Sequence, residues 1–379
     1  MIITAFRFIR FDKAKSIGVV IGIVISIFLI GQQVGILSFL TGLMGGLVEN
    51  ADKNVGQIWV VDNVTQNANE LTPLDERLVR QIRSINGVAN TYGIVVTGAT
   101  VKFDNGKTAP VLLIGSEAPV FVAGPRRDKI DKGDISSLVN DGAVSAEHYD
   151  ASVFNHSVDV GTSIEINGKS AMIRVQTKNA RGFAGSFFYT TIDRARYFAE
   201  FPANKVSAIA VQAENGADLD SVCTSINSSI FGVRAWRADE LQNSTVSFIT
   251  ITSNIGVSIG SLVVFAVISG FFIIGLTLYS SALDRMRDYG TLKAIGATNG
   301  YVSRLILTQA LLFAIVGYVI AIALLEGFRI GVANAGLTIG YTPVILGGLF
   351  LITLFISVGG SLFAIRKVTA LEPASVFRG

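Results

Sequence analysis

The amino-acid sequence predicts a membrane protein in which four transmembrane α-helices carry a large mixed α/β domain between the first and second helix. Half of the 379 residues are hydrophobic, only 16% are charged, and the mean hydropathy is +0.54, which excludes a wholly water-soluble protein. Four stretches contain no Asp, Glu, Lys or Arg, and each is longer than the roughly 20 residues that cross a bilayer as a helix. These stretches comprise residues 16–48, 241–283, 305–325 and 330–365.

Other classes of protein fail on composition. Proline occurs only 7 times, glycine shows no period, and Cys223 is the single cysteine. A disordered chain, a collagen and a disulfide scaffold are therefore excluded. We interpret Cys223 as a small buried apolar residue rather than a reactive thiol.

The distribution of basic residues predicts the orientation in the membrane. The segments before the first span, between the second and third, and after the fourth contain eleven Lys and Arg against four Asp and Glu. The rest of the chain contains 20 basic and 24 acidic residues. The positive-inside rule then predicts a protein of the bacterial plasma (inner) membrane with both termini in the cytoplasm. The overall charge of +3 reflects this orientation and gives no support to nucleic-acid binding.

The first 15 residues are basic and resemble the start of a signal peptide, but the apolar run that follows is 33 residues long. That length predicts a retained anchor. Ile2, Phe6 and Ile9 recur at helical spacing, which is typical of an amphipathic helix on the membrane surface. A simple basic flank of the first span is the alternative.

The predicted organisation follows from these spans. In chain order we expect a cytoplasmic amphipathic segment (1–15), the first span and a stalk (16–50), an extracytoplasmic α/β domain (51–238), a second stalk helix and span (239–283), a cytoplasmic coupling segment (284–304), the third span (305–325), an outer loop (326–342), the fourth span (343–365) and a cytoplasmic tail (366–379).

The large domain shows both helix and hairpin signals. Residues 72–85 begin with Thr-Pro and continue with apolar residues at helical spacing, which predicts a helix that starts at Thr72. Asn105-Gly106 and Asn167-Gly168 each lie between alternating segments and predict hairpins. Residues 205–211, 219–230 and 231–236 are predicted to form a strand, a helix and a strand in a βαβ-like unit.

Two apolar helices are predicted to continue beyond the bilayer as a packed stalk. Their apolar residues recur at steps of three, four and seven while polar residues fill the other faces. Irregular connectors are the alternative interpretation. The residues predicted to pack in the stalk are Leu40, Met44, Leu47, Leu241, Phe248 and Ile255.

The sequence contains little that indicates a catalytic site. Gly161 is too far upstream of Lys169-Ser170 for a phosphate loop, so this chain is predicted not to hydrolyse ATP and not to be an enzyme. His148 and His156 lack further metal ligands and favour surface or hydrogen-bonded roles, even with Glu147 nearby. We expect no bound metal or cofactor. The spans carry no Asp, Glu, Lys or Arg, which argues against ion channels and secondary transporters.

Residues 283–298 read LDRMRDYGTLKAIGAT and contain the most informative pattern. They resemble the E-R-x-x-E-I-G-x-L-[KR]-A-[LI]-G-A element of the FtsX/MacB/LolC superfamily of ABC-transporter permeases. Asp288 and Tyr289 depart from that element, where Glu and Ile are preferred. The final segment RKVTALEPASVFR (366–378) is also similar to the family's closing segment, and Gln33-Val34-Gly35 with QIWVV at 57–61 resembles the DevC subgroup.

The resemblance implies a permease that works by mechanical transmission. A separate cytoplasmic ATPase, which holds ATP and Mg, would bind the coupling segment and move the spans, and a membrane-fusion partner would serve export. Small-xxx-small glycine pairs such as Gly256/Gly260 would suit a second permease copy. An FtsX-like protein that activates an extracytoplasmic enzyme is the alternative, and a receptor without ATPase is a third interpretation. The predicted coupling residues are Arg285, Arg287, Asp288, Tyr289, Gly290, Leu292, Lys293, Ala294, Ile295, Gly296 and Ala297.

For docking, we expect Leu292, Ala294 and Ile295 to form an apolar face with Arg287 and Lys293 at its rim. Gly290 and Gly296 are predicted to end the coupling segment.

Overall fold

The computed structural model describes residues 13–183 and 185–370. The predicted surface helix at the N-terminus and the family-like closing segment beyond residue 370 therefore lie outside the described residues. The chain divides into two compact units. Of the described residues, the membrane unit contains 13–39 and 255–370, and the outer unit lies within Leu40–Asn254.

The helices of the described chain follow in order. They are α1 (Lys13–Met44), α2 (Gly46–Glu49), α3 (Arg77–Arg83), α4 (Ala151–Phe154), α5 (Ile192–Ala199), α6 (Leu219–Ser229), α7 (Ala238–Thr252), α8 (Ile255–Asp284), α9 (Met286–Ala294), α10 (Asn299–Ala333) and α11 (Pro343–Thr369), with short 3₁₀ turns at Arg127–Lys129, Ile135–Val139 and His148–Asp150.

Within the residues that the structure describes, four helices are long and apolar enough to cross a membrane, namely α1, α8, α10 and α11. A mixed α/β unit lies between the first and second of them in the chain. The predicted fold class is therefore confirmed.

The membrane unit is held together by one apolar core in which glycines allow close helix approach. Ile23 and Ile27 of α1 are almost completely buried. A Cβ added at Gly22 would lie 2.6 Å from Ile273 Cγ2, and one at Gly31 would lie 2.3 Å from Leu325 Cδ1. Gly22 and Gly31 thus allow helices of the same chain to approach closely, as is typical of helix packing in membranes.

Two boundaries in the membrane unit differ from the prediction. Helix α10 begins at Asn299 rather than at residue 305, and it continues to Ala333, so the outer loop begins at Asn334 rather than at residue 326. A salt bridge between Glu326 and Arg329 lies on the last turns of that helix. The predicted span ended before Glu326 because the charge-free run ends there, but oppositely charged residues one turn apart are compatible with a helix.

The outer unit is built on one large sheet. Its strands, with one small separate pair, are β1 (Ile58–Asp62), β2 (Leu74–Asp75), β3 (Val88–Lys102), β4 (Thr108–Ser116), β5 (Ile130–Lys132), β6 (Ala143–Glu147), β7 (Ser163–Ile166), β8 (Lys169–Thr177), β9 (Ser186–Thr191), β10 (Lys205–Val206), β11 (Ala208–Ala213) and β12 (Val233–Arg237). The main path of the sheet is β12-β1-β11-β3-β7-β8-β5. Strand β4 joins β3 to β9, β6 pairs with β8, and β2 pairs with β10.

Local sequence signals in the outer unit are largely confirmed. Strands β3 and β4 flank the first Asn-Gly turn, and β7 and β8 flank the second. Strands β11 and β12 both pair antiparallel with β1, so they run parallel to each other with β1 between them. With α6 as the crossover helix, they form the expected βαβ-like unit in its split form.

The predicted helix start at Thr72 is wrong. Leu74–Asp75 forms strand β2, and α3 begins at Arg77. The Asp75 carboxylate accepts a hydrogen bond from Arg77 N (2.8 Å), an Asx turn that starts the helix later.

Both predicted continuous stalk helices are also broken. Asn254 adopts a left-handed conformation (φ 55°) and separates α7 from α8. Gly45 separates α1 from the short helix α2. Asn commonly ends helices in the left-handed region, so the heptad repeat crosses a real helix end.

Candidate functional site

The first part of the predicted coupling segment (284–304) folds as helix α9, which lies between α8 and α10 in the chain, and its last residues form the start of α10. The helix ends in a Schellman motif, because Ala297 N donates to Leu292 O (2.9 Å) and Gly296 N donates to Lys293 O (3.0 Å). Gly296 has φ 99°, a conformation that side chains rarely adopt. Gly296 therefore ends the helix as expected, whereas Gly290 lies in its middle.

One face of α9 packs into the membrane unit. Tyr289 exposes only 2% of its surface and belongs to the apolar core, and Gly290 beside it is buried. Burial raises the pKa of Tyr289 to about 12. Leu292 and Ala297 are half-buried against the same core. Tyr289 and Leu292 thus anchor the helix, and the assignment of Leu292 to a docking face stays a prediction.

Arg285 precedes the helix and is also turned inward. It exposes 8% of its surface and lines a cavity of about 10 Å³ together with Tyr289 and Gln309. A cavity of this size matches a single water molecule. Gln309 Nε2 has no hydrogen-bond partner among the described residues, so a water there would satisfy it. Arg285 therefore belongs to a buried polar cluster at the N-terminal end of α9.

Lys293 connects α9 to the last spanning helix. Its Nζ donates to the main-chain oxygen of Thr369 (3.0 Å), the final residue of α11. Carbonyls at a helix end lack intrahelical partners, and a cation there also interacts favourably with the helix dipole. Lys293 was predicted to be a rim charge, but its ammonium caps α11.

The opposite face of α9 is exposed within the described chain. Ile295, at the C-terminal end of the helix, exposes 77% of its surface. The exposed residues recur at spacings of one, three and four, which places them on one stripe. This outward face consists of Arg287, Asp288, Thr291, Ala294 and Ile295.

The start of α10 contributes exposed residues that sequence reasoning missed. The Thr298 hydroxyl caps this helix by accepting a hydrogen bond from Tyr301 N (3.2 Å). Tyr301 exposes 36% of its surface, and Arg304 is exposed one turn later. Aromatic and arginine side chains are enriched at protein interfaces, and that enrichment was the available signal.

The predicted stalk residues take different positions. Met44, Leu47 and Leu241 are fully buried in the outer unit, whereas Leu40 and Phe248 are half-buried. Helix α7 instead buries a stripe at steps of four, formed by Leu241, Thr245 and Ile249. Ile255 lies in α8 of the membrane unit, so the helix break removes it from the stalk.

The histidine region shows no metal centre, and no group of three or more metal-ligating side chains occurs in the described part of the chain. His156 Nε2 lies 2.7 Å from Asp104 Oδ1 and Nδ1 lies 2.7 Å from Ser157 O. The Lys169-Ser170 segment belongs to strand β8 of a hairpin, as the sequence predicted.

The fold and the site define a multi-pass membrane protein with an amphipathic helix between its second and third spans. Residues 260–373, which include α9, match the FtsX family, described as FtsX-like permease C-terminal. This part of the chain is an FtsX-like permease domain, and the predicted resemblance to FtsX-type permeases is confirmed over these residues. The DevC subgroup stays a prediction.

Two curated relatives are uncharacterized ABC transporter permeases of Mycobacterium tuberculosis, from strains CDC 1551 / Oshkosh and H37Rv. Each is 35% identical over 133 residues, which cover 32% of this chain and 35% of the relative. The chain thus matches about a third of the length of these relatives.

Two solved structures are similar in the outer region. The extracellular domain of the noncanonic ABC-type transporter YknZ from Gram-positive bacteria is 13% identical with a TM-score of 0.35, over 48% of this chain and 99% of that one. The periplasmic region of MacB from Actinobacillus actinomycetemcomitans is 9% identical with a TM-score of 0.38, over 51% of this chain and 94% of that one.

Proposed function

We propose that this chain is the permease subunit of an ATP-driven complex and that a separate cytoplasmic ATPase docks on the outward face of α9. One observation carries this proposal: a highly exposed Ile295 lies on a helix whose other face is fixed in the membrane unit. An exposed apolar side chain between charged residues fits a partner interface. The FtsX-like domain that surrounds it supports an ABC ATPase as that partner.

The attachments of α9 suit mechanical transmission. Tyr289 packs into the apolar core, Lys293 caps α11, and the chain joins α9 directly to α8 and α10. Because the helix is held at several points, a displacement of α9 by the ATPase moves the spanning helices as a group. The spans need not conduct substrate themselves, which agrees with their lack of charged residues.

We further propose that the motion reaches the outer unit and drives export together with a membrane-fusion partner. Helix α1 continues from the membrane unit into the outer unit without a break until Gly45. A second permease copy completes the complex, and the ATP and Mg bind to the ATPase. The positive-inside pattern supports cytoplasmic termini and a cytoplasmic α9.

Purification of the full chain in mild detergent, followed by mass spectrometry of its partners, tests the proposal. We expect an ABC ATPase and a membrane-fusion protein to co-purify. A cell-wall hydrolase beside the ATPase would favour the FtsX-like regulatory function instead. Absence of any ATPase, together with retention of other partners, would contradict the docking role of α9.

A further inference from the structure

The end of helix α1 is held by a loop of the outer unit that connects β8 to β9. We call the described residues 177–183 of this loop the latch. The last carbonyls of α1 have no partners within the helix. Phe183 N in the latch donates to Leu43 O (2.9 Å), and the Asn69 side chain donates to Met44 O (2.8 Å). The outer unit therefore completes the hydrogen bonding of the helix end.

The latch also contacts the chain just beyond α1. Asn50, which follows α2 and exposes 1% of its surface, donates through Nδ2 to Arg181 O (3.0 Å). A Cβ added at Gly46 would lie 2.2 Å from that same carbonyl oxygen, so only glycine permits the approach. Phe183 and Arg181 of the latch thus form hydrogen bonds with the chain before and after the helix break at Gly45.

A second set of contacts fixes Asn50 from the other direction. Lys129 Nζ donates to Asn50 Oδ1 (2.5 Å), and Arg126 N donates to Asn50 O (3.0 Å). Arg126 also pairs with Glu49 at 3.1 Å. With the Asn50 side chain bonded on both sides, movement of the latch is passed directly to the segment that follows α1.

The conformation of the latch depends on one buried carboxylate. Glu147, at the end of β6, has no exposed surface. Its two oxygens accept hydrogen bonds from Thr177 Oγ1 (2.8 Å), Asn179 N (2.8 Å) and Ala180 N (3.0 Å). All three donors belong to the latch, so this side chain organises the first half of the loop, whose second half holds α1.

The burial of the Glu147 carboxylate costs free energy unless all three donors form their hydrogen bonds with it. Burial raises the pKa of Glu147, while the three donors act in the opposite direction. A buried carboxylate without compensating hydrogen bonds is strongly unfavourable. An amide in its place accepts through one oxygen only and presents an NH₂ group to a remaining N–H donor. The latch therefore requires a carboxylate, not merely a polar side chain.

We infer that Glu147 is a positioning residue for transmission: through the latch it holds the end of α1 against the outer unit, so that motion of the spanning helix reaches the sheet. This inference rests on the proposed function for its mechanical consequence. The hydrogen bonds that carry it lie wholly within the outer unit. Glu147 acts through the latch and touches no substrate.

Hydrogen exchange on the complete complex in nanodiscs tests the inference, with and without ATP and vanadate. The variants are Glu147→Gln and Gly46→Ala, which disturb the latch from opposite sides. Glu117→Gln is the matched control, because this carboxylate accepts a hydrogen bond from Gly93 N (2.8 Å) away from the latch. Without nucleotide, we expect exchange in residues 43–50 and in the latch to rise about tenfold in both variants.

With nucleotide, the wild type and the control should show altered exchange in both α9 and the outer unit. In Glu147→Gln the α9 response should persist while the outer-unit response falls by half or more, a separation that general destabilisation would not produce. Unchanged latch exchange in Glu147→Gln, or a wild-type outer-unit response despite a loosened latch, would overturn the inference. A wild type without any α9 response would instead refute the proposed function, and the nucleotide-free exchange of residues 43–50 would still decide the role of Glu147.

Discussion

Replacing Ile295 by Asp distinguishes two explanations of α9. In the first, the helix docks an ATPase; in the second, its basic residues only reflect the positive-inside rule. The side chain is 77% exposed, so the substitution should change the stability of the free chain by less than about 0.5 kcal/mol. If the ATPase covers this position, the complex loses about 1.5–3 kcal/mol of apolar burial and must also desolvate a carboxylate. We therefore expect binding to weaken by roughly a hundredfold or more.

The assay measures ATPase retention on purified protein together with its thermal unfolding. Ile251→Asp is the matched control, since that isoleucine is 71% exposed but lies in the outer unit. Leu292→Asp provides the contrast, because Leu292 packs against the membrane core and should lose stability as well as partner binding. Undiminished ATPase binding by a correctly inserted Ile295→Asp protein would refute the docking face.

Three further predictions test other parts of the molecule. In a Cys223→Ser background, a cysteine at the exposed Asn105 should react with an impermeant thiol reagent in intact cells and one at Arg287 should not; labelling at Arg287 would reverse the topology. Lys293→Met should lower thermal stability by about 1 kcal/mol through loss of the α11 cap while ATPase retention is largely kept, and an unchanged melting temperature would contradict the cap. Burial raises the pKa of Asp150 to about 6 from an ordinary value of 3.8. The folded state therefore binds a proton more tightly than the unfolded state does, and outer-unit stability should rise by about 2 kcal/mol as pH falls from 7 to 4. Asp150→Asn should remove this contribution in thermal unfolding measurements.

The spans and hairpins were predictable because their signals are local. A charge-free run longer than the bilayer is thick has few alternatives to a spanning helix. Asn-Gly dipeptides fix a turn through their own backbone preferences, as at residues 105–106 and 167–168. Neither signal depends on which distant part of the chain packs against it.

The predicted continuity of the second stalk helix is wrong because a local helix-ending signal opposed the seven-residue repeat, although Leu47 and Leu241 are buried in one core as predicted. Leu241, Phe248 and Ile255 recur every seven residues, but Ser253-Asn254 lies between the second and third. The left-handed conformation of Asn254 ends α7, and the buried stripe of that helix then follows Leu241 and Ile249 instead. Three repeats do not outweigh a residue type that commonly ends helices.

The sequence could not predict which side chains of α9 face the core, because both faces of the helix carry apolar residues. Leu292 and Ile295 are three positions apart and chemically alike, yet one packs inward and the other is 77% exposed. In the structure the Schellman motif turns the chain at Gly296 and brings Ala297 back toward Leu292, and both residues pack against the core. The motif match located the segment that folds as α9 but could not show which of its side chains pack inward and which are exposed.

Lys293 shows why the attachments of α9 matter for transmission. From the sequence alone, α9 is joined only to its chain neighbours α8 and α10, and a push on it would reach α11 indirectly. The bond from Lys293 Nζ to Thr369 O links the helix to the end of α11 as well. Since Tyr289 is anchored in the same core, the exposed stripe lies on a helix that is attached to the membrane unit through its side chains as well as through the chain. An ATPase that grips Ile295 would therefore displace the spans as a group, which is what a mechanical permease requires.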